Sequence, residues 1–295
     1  MIPAVVRFVA APASPRPLAL LRVGIAATLL LQAALLWADL PSFFGSSAVV
    51  SRALREAIAD RPLPALELDA SLDWLARHGV EQALALRALF VVYAASLVGL
   101  LLGWRTRVMA IVAWWLQQSL LVWGQLAVHG GSAFAHIALF YCLLLPVAGA
   151  WSLDRRAGRT TGAPTALVRL GLRAIQIHLC VVYFEAGAAK LLGEQYLSGE
   201  AAWYALFHAD WITGDLTWLA RMPWLVAVAT WLTLIVELGY PFMIWPRRTR
   251  RGWALLTIVM HAGFAVGMGL WVFSLVMSTF TAAVFLLSAA PQDSA

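Results

Sequence analysis

Six side chains that can carry a proton or a charge lie inside long apolar stretches of this sequence. They are His136, His178, Glu185, Lys190, Glu237 and His261. Ionisable groups at membrane depth are costly and rare, and they usually mark a functional site. Because unpaired charges in lipid are unfavourable, we expect Lys190, Glu237 and His261 to meet in one cavity. Arg22 and Arg87 lie near the ends of their stretches, and we expect them to reach the membrane surface instead.

Lys190 is the only lysine in the chain, beside 20 arginines. GC-rich coding accounts for most of this bias. A lysine can nevertheless give up its proton in a protein, whereas an arginine stays charged. Burial disfavours the charged ammonium, so Lys190 is a candidate general base.

The stretch around Lys190 concentrates polar groups on two faces of one helix. Helix residues seven apart differ by about 20° in direction, so Tyr183 and Lys190 share one face, and His178 and Glu185 share another. Glu185 lies about 140° around the helix from Lys190 by the same geometry. Between them stand only Ala and Gly, including Gly187. Such small residues allow either close packing of a neighbouring helix or room for a flat ligand.

The chain shows no metal or nucleotide signature. Its two cysteines, Cys142 and Cys180, lie in apolar stretches without zinc-site spacing. Two buried thiols and a Cys142–Cys180 bridge are both compatible with that placement. The HExxH, phosphate-loop and dinucleotide-binding patterns do not occur in a sequence context that would support them. We therefore expect no metal site.

The composition is that of a membrane protein. Of the 295 residues 62% are hydrophobic and 12% are charged, about half the charged fraction of a soluble domain. These values exclude a soluble enzyme, a disordered chain and a disulfide-stapled secreted domain. The net charge is +6, but the basic residues form short clusters between apolar stretches, so no nucleic-acid partner is expected. We predict a single all-α domain over residues 1–295, with membrane lipid as its surroundings.

Apolar stretches of about 20 residues indicate membrane-spanning helices. The sequence contains eight, at residues 18–37, 83–102, 108–128, 133–150, 174–192, 224–245, 253–268 and 270–290. Only a glycine-flanked turn at residues 267–269 separates the last two stretches, so counts of seven and eight both remain open.

Charge partition predicts the orientation of these spans. Short loops rich in arginine stay in the cytoplasm. With both termini cytoplasmic, the inner segments hold 13 arginines and two acids, and the outer segments hold five arginines and 11 acids. Residues 41–82 and 193–223 are then outer loops, and Lys190 lies toward the outer face of a bacterial inner (plasma) membrane. The aromatic residues of 193–223 are either interfacial anchors or a lid over the site.

One motif resembles a known family. The run Tyr183-Phe184-Glu185-Ala186-Gly187-Ala188-Ala189-Lys190-Leu191, followed by Gly199, is similar to the Tyr-Phe-x-Ala-Gly-x-x-Lys-Leu…Gly signature of the HTTM family. That family contains vitamin K-dependent γ-carboxylase. Further matches follow in family order, namely residues 20–24, 102–107, 151–154, the segment from Glu237 to Pro241, and Met260-His261.

The resemblance implies a quinol-dependent membrane enzyme. Lys190 would be the general base that deprotonates vitamin K hydroquinone or a related quinol, with His261 and Glu237 as further catalytic residues. Tyr183, Gly187, Glu185 and His178 would line the cofactor site. The resemblance also implies O2, CO2 and a peptide or small-molecule acceptor that is modified, including by carboxylation.

A second hypothesis is a membrane protein without catalytic activity. It would bind, mature or export a small peptide or lipid, and its polar cluster would serve for binding or helix packing.

Overall fold

The computed structural model describes residues 2–44, 48–58, 67–124, 130–208 and 213–289. These residues form α-helices and no β-strand, as predicted for an all-α protein. In chain order the helices are α1 (Ile2–Ala10), α2 (Arg16–Leu36), α3 (Leu40–Phe43), α4 (Arg52–Ile58), α5 (Leu68–Arg77), α6 (Gln82–Leu102), α7 (Thr106–Trp123), α8 (Gly130–Leu144), α9 (Leu153–Arg156), α10 (Ala166–Leu191), α11 (Glu194–Leu197), α12 (Ala201–Leu206), α13 (Pro223–Met243), α14 (Arg250–Met268) and α15 (Trp271–Thr281).

Five helices are long and apolar enough to cross a membrane. They are α2, α6, α10, α13 and α14, and they coincide with five of the eight predicted stretches. Apolar side chains such as Leu35, Val91 and Phe242 are exposed on their surfaces. The protein is therefore an integral membrane protein.

The other three predicted stretches are helical but differ from the prediction in extent. In the stretch 108–128, α7 ends at Trp123, and residues 125–129 lie outside the described part. In the stretch 133–150, α8 ends at Leu144 because Pro146 cannot continue the helix. In the stretch 270–290, α15 passes at Ala282 into a π-helical turn. The count of eight spans remains a prediction.

The chain divides into two compact units. One comprises Leu18–Pro164, and the other comprises Met1–Pro17 together with Thr165–Ala295.

A fully buried arginine organises the first unit. Arg22 on α2 has no exposed surface, so the expectation that it reaches the membrane surface is wrong. Its guanidinium donates hydrogen bonds to backbone carbonyls in the last turn of α6 and after α8. They include Leu101 at 2.7 Å, Trp151 at 2.7 Å and Val147 at 3.2 Å. An arginine can be buried here because carbonyl groups at helix ends carry partial negative charge and lack intrahelical partners.

Two of the sequence motifs meet beside Arg22. The Asp154 carboxylate accepts hydrogen bonds from the backbone N–H groups of Arg105 at 3.0 Å and Thr106 at 2.8 Å. It also accepts one from the Thr106 hydroxyl at 2.7 Å. Gly103 has φ +67°, and a Cβ there would stand 2.3 Å from Ser152. The matches at residues 102–107 and 151–154 are thus one structural junction at the start of α7.

The second unit is built on the pair α10 and α13. Gly187 lies against Leu238, and the Tyr183 ring stacks on Tyr240 with centroids 4.1 Å apart. The last turn of α10 therefore packs against the middle of α13, and the first half of α13 extends beyond it. The segment after α10 packs along that half, where the backbone N–H of Ala202 on α12 donates to the Thr230 hydroxyl at 2.9 Å.

Candidate functional site

An ion pair between Lys190 and Glu237 forms the centre of the candidate site. Lys190 Nζ donates to Glu237 Oε1 at 2.9 Å and lies 2.7 Å from Oε2. The Glu237 side chain is 7% exposed and that of Lys190 is 24% exposed. The carboxylate is thus almost completely enclosed, whereas the ammonium retains an accessible side.

A hydrogen-bonded tyrosine and histidine lie next to this pair. The Tyr183 hydroxyl is 2.7 Å from His261 Nε2. Tyr183 stacks on Tyr240, whose hydroxyl is 3.2 Å from the Thr281 hydroxyl. The Lys190 ammonium is close enough to His261, and the Glu237 carboxylate to Tyr183, for direct electrostatic interaction. Helices α10, α13, α14 and α15 each contribute a polar group to one cluster.

Two buried atoms of the cluster lack a directed hydrogen bond. In the described residues, Glu237 Oε2 accepts none, although Lys190 lies beside it, and His261 Nδ1 has no partner. Buried polar atoms are paired in the great majority of cases. Glu237 Oε2 and His261 Nδ1 therefore have hydrogen-bonding capacity that the described side chains do not use.

Tyr196 on α11 lies beside the Lys190 ammonium. Its ring centroid is 5.9 Å from Lys190 Nζ, within cation–π range. Burial raises the pKa of the Tyr196 hydroxyl, and the negative charge of Glu237 raises it further. The sequence did not single out Tyr196, although its position in the aromatic segment 193–223 was a signal for a covering residue.

Glu237 and His261 lie well inside their helices, whereas Lys190 is in the last turn of α10. By helix rise, Glu237 is about 21 Å from the start of α13, and His261 is about 16 Å from the start of α14. A span is about 30 Å long, so both residues sit at membrane depth. Lys190 reaches this depth because α10 ends beside the middle of α13.

The structure thus brings together four of the seven predicted site residues, namely Lys190, Glu237, His261 and Tyr183. Gly187 lies at a tight contact between α10 and α13. A Cβ at this position would stand 2.9 Å from the Leu238 side chain and 3.0 Å from its backbone nitrogen. Gly187 therefore allows close packing of α10 against α13.

Glu185 and His178 are not part of the cluster. Glu185 lines an apolar groove of about 620 Å³ between α10 and α13, together with Phe184, Phe242 and Trp245. His178 is half-buried on α10, about 18 Å along the helix from Lys190.

His136, the remaining histidine that the sequence placed in an apolar stretch, lies in the first unit. Its ring stacks on Trp114 with centroids 5.0 Å apart. Neither ring nitrogen has a hydrogen-bond partner in the described part of the chain. One turn from Trp114 on α7, Gln117 accepts a hydrogen bond from the buried Tyr93 hydroxyl, a pair that the sequence did not predict.

The cysteines and potential metal ligands suggest no additional centre. Cys142 and Cys180 are both buried and free, so the bridged alternative is wrong. Within the described ranges, no three His, Cys, Asp or Glu side chains are grouped so that they could hold a metal ion.

Comparison with known proteins identifies a relative. The uncharacterized protein YitO of Bacillus subtilis (strain 168) is 30% identical over 248 residues, which are 78% of this chain and 75% of YitO. The chain belongs to the YitO family. No family model and no solved structure matches the sequence. The HTTM resemblance therefore remains a prediction for this YitO-family protein.

Proposed function

We propose that this protein is an integral-membrane enzyme that deprotonates a reduced quinone, as the HTTM resemblance implies, with Lys190 as the general base. The observation that carries the proposal is the Lys190–Glu237 pair at membrane depth, hydrogen-bonded and next to Tyr183 and His261. We further propose eight spans, cytoplasmic termini and a site that opens toward the outer face of a bacterial inner membrane.

The pairing determines how Lys190 can act as a base. A charged ammonium has no lone pair to accept a proton. Transfer of one proton from Lys190 Nζ to the Glu237 carboxylate, along their 2.9 Å hydrogen bond, leaves a neutral amine beside a neutral acid. The pair is charged at rest, and this proton transfer provides the neutral amine only during turnover. The amine can then accept a proton from an acidic hydroxyl group.

The residues present fit a quinol. A quinol offers two hydroxyl groups, and we propose that they interact with Glu237 Oε2, which lies 2.7 Å from Lys190, and with His261 Nδ1. When bound, a vitamin K-type hydroquinone supplies an acidic phenol that O2 oxidises after deprotonation. Tyr183 holds the His261 ring in place, and Tyr196 shields the Lys190 amine from water. Carboxylation of a peptide or small molecule with CO2 is the acceptor chemistry that the resemblance favours.

The second candidate is a membrane protein that binds, matures or exports a small peptide or lipid. The same ion pair favours it, because a buried Lys–Glu pair can join two helices without any chemistry. The exposed Glu185 carboxylate in an apolar groove is a feature that a peptide or lipid could bind.

Lys190→Arg separates the two candidates. Arginine keeps the positive charge and can pair with Glu237, but it cannot supply a neutral amine. We expect purified wild-type protein in nanodiscs to oxidise a naphthoquinol in the presence of O2. We expect the variant to be slower by about 100-fold or more, as for loss of a general base, with an unchanged unfolding midpoint. Equal rates in both proteins, or no oxidation by the wild type, would exclude the enzyme proposal.

A further inference from the structure

A second cavity, of about 690 Å³, lies beside the first turns of α13. Its walls come from α12, from the 3-10 helix Thr217–Arg221 and from α13, all in the second unit. By helix rise, Ala227 on its wall is about 15 Å from Glu237. The cavity is therefore separate from the Lys190–Glu237 cluster.

The lining of this cavity combines aromatic rings with one carboxylate. Trp203, Tyr204 and Trp224 line it, and among its lining residues Glu200 alone is charged. In the described part of the chain, no arginine, lysine or histidine forms an ion pair with Glu200. Aromatic faces and an unneutralised carboxylate attract the same kind of ligand, namely a cation.

Contacts of α12 and of the turn before it fix one wall of the cavity. The Trp203 ring packs on Phe207 with centroids 4.2 Å apart. The Ala202–Thr230 hydrogen bond attaches α12 to α13. Gly199 has φ +82°, and a Cβ there would stand 3.2 Å from Trp231 Nε1. A preorganised wall reduces the ordering cost of binding.

We propose that this cavity binds an organic cation of the quaternary-ammonium class. Glu200 supplies the opposite charge, and Trp203, Tyr204 and Trp224 supply aromatic faces. The volume lies within the range of about 300–1,000 Å³ that is usual for small-molecule sites. Free choline and the choline headgroup of a lipid share this chemistry.

Calorimetric titration of the full chain in nanodiscs tests the proposal. The probes are choline and its uncharged isostere 3,3-dimethylbutan-1-ol. We expect choline to bind and the isostere to bind about tenfold more weakly or not at all, and Glu200→Gln to weaken choline binding by about tenfold. Glu194→Gln removes a carboxylate of the same segment that does not line the cavity, and it should leave choline binding unchanged.

A lipid arm distinguishes the two sources of the headgroup. The choline titration is repeated in nanodiscs of phosphatidylcholine and of phosphatidylglycerol. If phosphatidylcholine competes with choline, and the competition is lost in Glu200→Gln, the site binds the lipid headgroup. If choline binds equally well in both lipids, the site binds the free cation. Three results would overturn the proposal and leave these aromatic residues as interfacial anchors. They are equal binding of choline and its isostere, equal choline affinity of wild type and Glu200→Gln, and no choline binding in either lipid.

Discussion

The Lys190–Glu237 pair links the energetics of single residues to the proposed chemistry. Two buried charges are tolerated in a fold only when both partners are present. Burial of each charge is unfavourable because the charge loses its hydration, and the attraction between the two charges offsets that loss. The same closeness allows one proton to move between them. Removing one partner should therefore affect stability, and replacing Lys190 by arginine should affect chemistry alone.

Loss of Glu237 should destabilise the protein strongly. Glu237→Ala leaves the Lys190 ammonium at membrane depth without its carboxylate, and we expect a loss of about 3–5 kcal/mol in the free energy of unfolding. Titration with a denaturing detergent measures this change. Glu185→Ala is the matched control. Because Glu185 is exposed, this variant should change the free energy of unfolding only slightly. Similar losses for both variants would show that the ion pair does not hold α10 to α13.

Asp154 should make the free energy of unfolding depend on pH in the acidic range. Burial by itself raises the pKa of its carboxyl, but hydrogen bonds from Thr106, Arg159 and Arg105 outweigh burial and lower the pKa to about 2. The unfolded value is about 3.9. The contribution of Asp154 to stability is therefore complete above about pH 4 and declines as the pH falls through the folded pKa of about 2.

Asp154→Asn removes this titration. Unfolding midpoints measured between pH 5 and pH 2 should fall more steeply for wild type than for the variant, and the variant should be less stable at pH 5. Parallel curves for the two proteins would contradict the assignment of Asp154 as a carboxylate bound by the start of α7.

The sequence predicted part of the site because lipid penalises isolated charges. Lys190, Glu237 and His261 had to find polar partners, and Tyr183 shares a helical face with Lys190. Tyr196 and Arg22 were not predicted correctly. Their positions depend on where α10 ends and on which carbonyl groups the first unit leaves unpaired, and neither is visible in the local sequence pattern.

At the scale of helices, Gly187 decides how closely α10 and α13 approach. Gly187→Ala places a methyl group 2.9 Å from Leu238, so we expect this variant to be destabilised. Gly263→Ala on α14 is the control. A Cβ there meets nothing within 4 Å, and alanine favours a helix by about 1 kcal/mol over glycine. Equal unfolding midpoints for the two variants would contradict the tight α10–α13 contact.

Helix positions were easier to predict than helix packing. Apolar length alone located α2, α6, α10, α13 and α14, because a bilayer fixes the length of a span. The sequence predicts an outer loop after Lys190, and this location stays a prediction. In the structure α11 and α12 pack along the first half of α13, because α10 ends beside the middle of its neighbour. That register depends on side-chain contacts such as Tyr183 on Tyr240.

At the scale of the whole molecule, the orientation in the membrane can be tested with single cysteines. Replacing Cys142 and Cys180 by Ala gives a background without thiols, into which Arg248→Cys or Arg221→Cys is introduced. Because arginine-rich loops stay in the cytoplasm, an impermeant maleimide on intact cells should label position 221 and leave position 248 unlabelled. Labelling of position 248 from outside would reverse the topology and put the site toward the opposite face.

Chemical rescue of Lys190 tests the central claim most directly. Lys190→Ala removes the amine and leaves the Glu237 carboxylate to attract a small cation. In nanodiscs the variant should have lost O2-dependent quinol oxidation, and added methylamine should restore it in proportion to the amine concentration, with a rate that rises with pH as neutral amine accumulates. A variant that retains the wild-type rate would contradict the account. A variant that is inactive with and without amine, at every pH, would also contradict it and leave Lys190 as a structural cation.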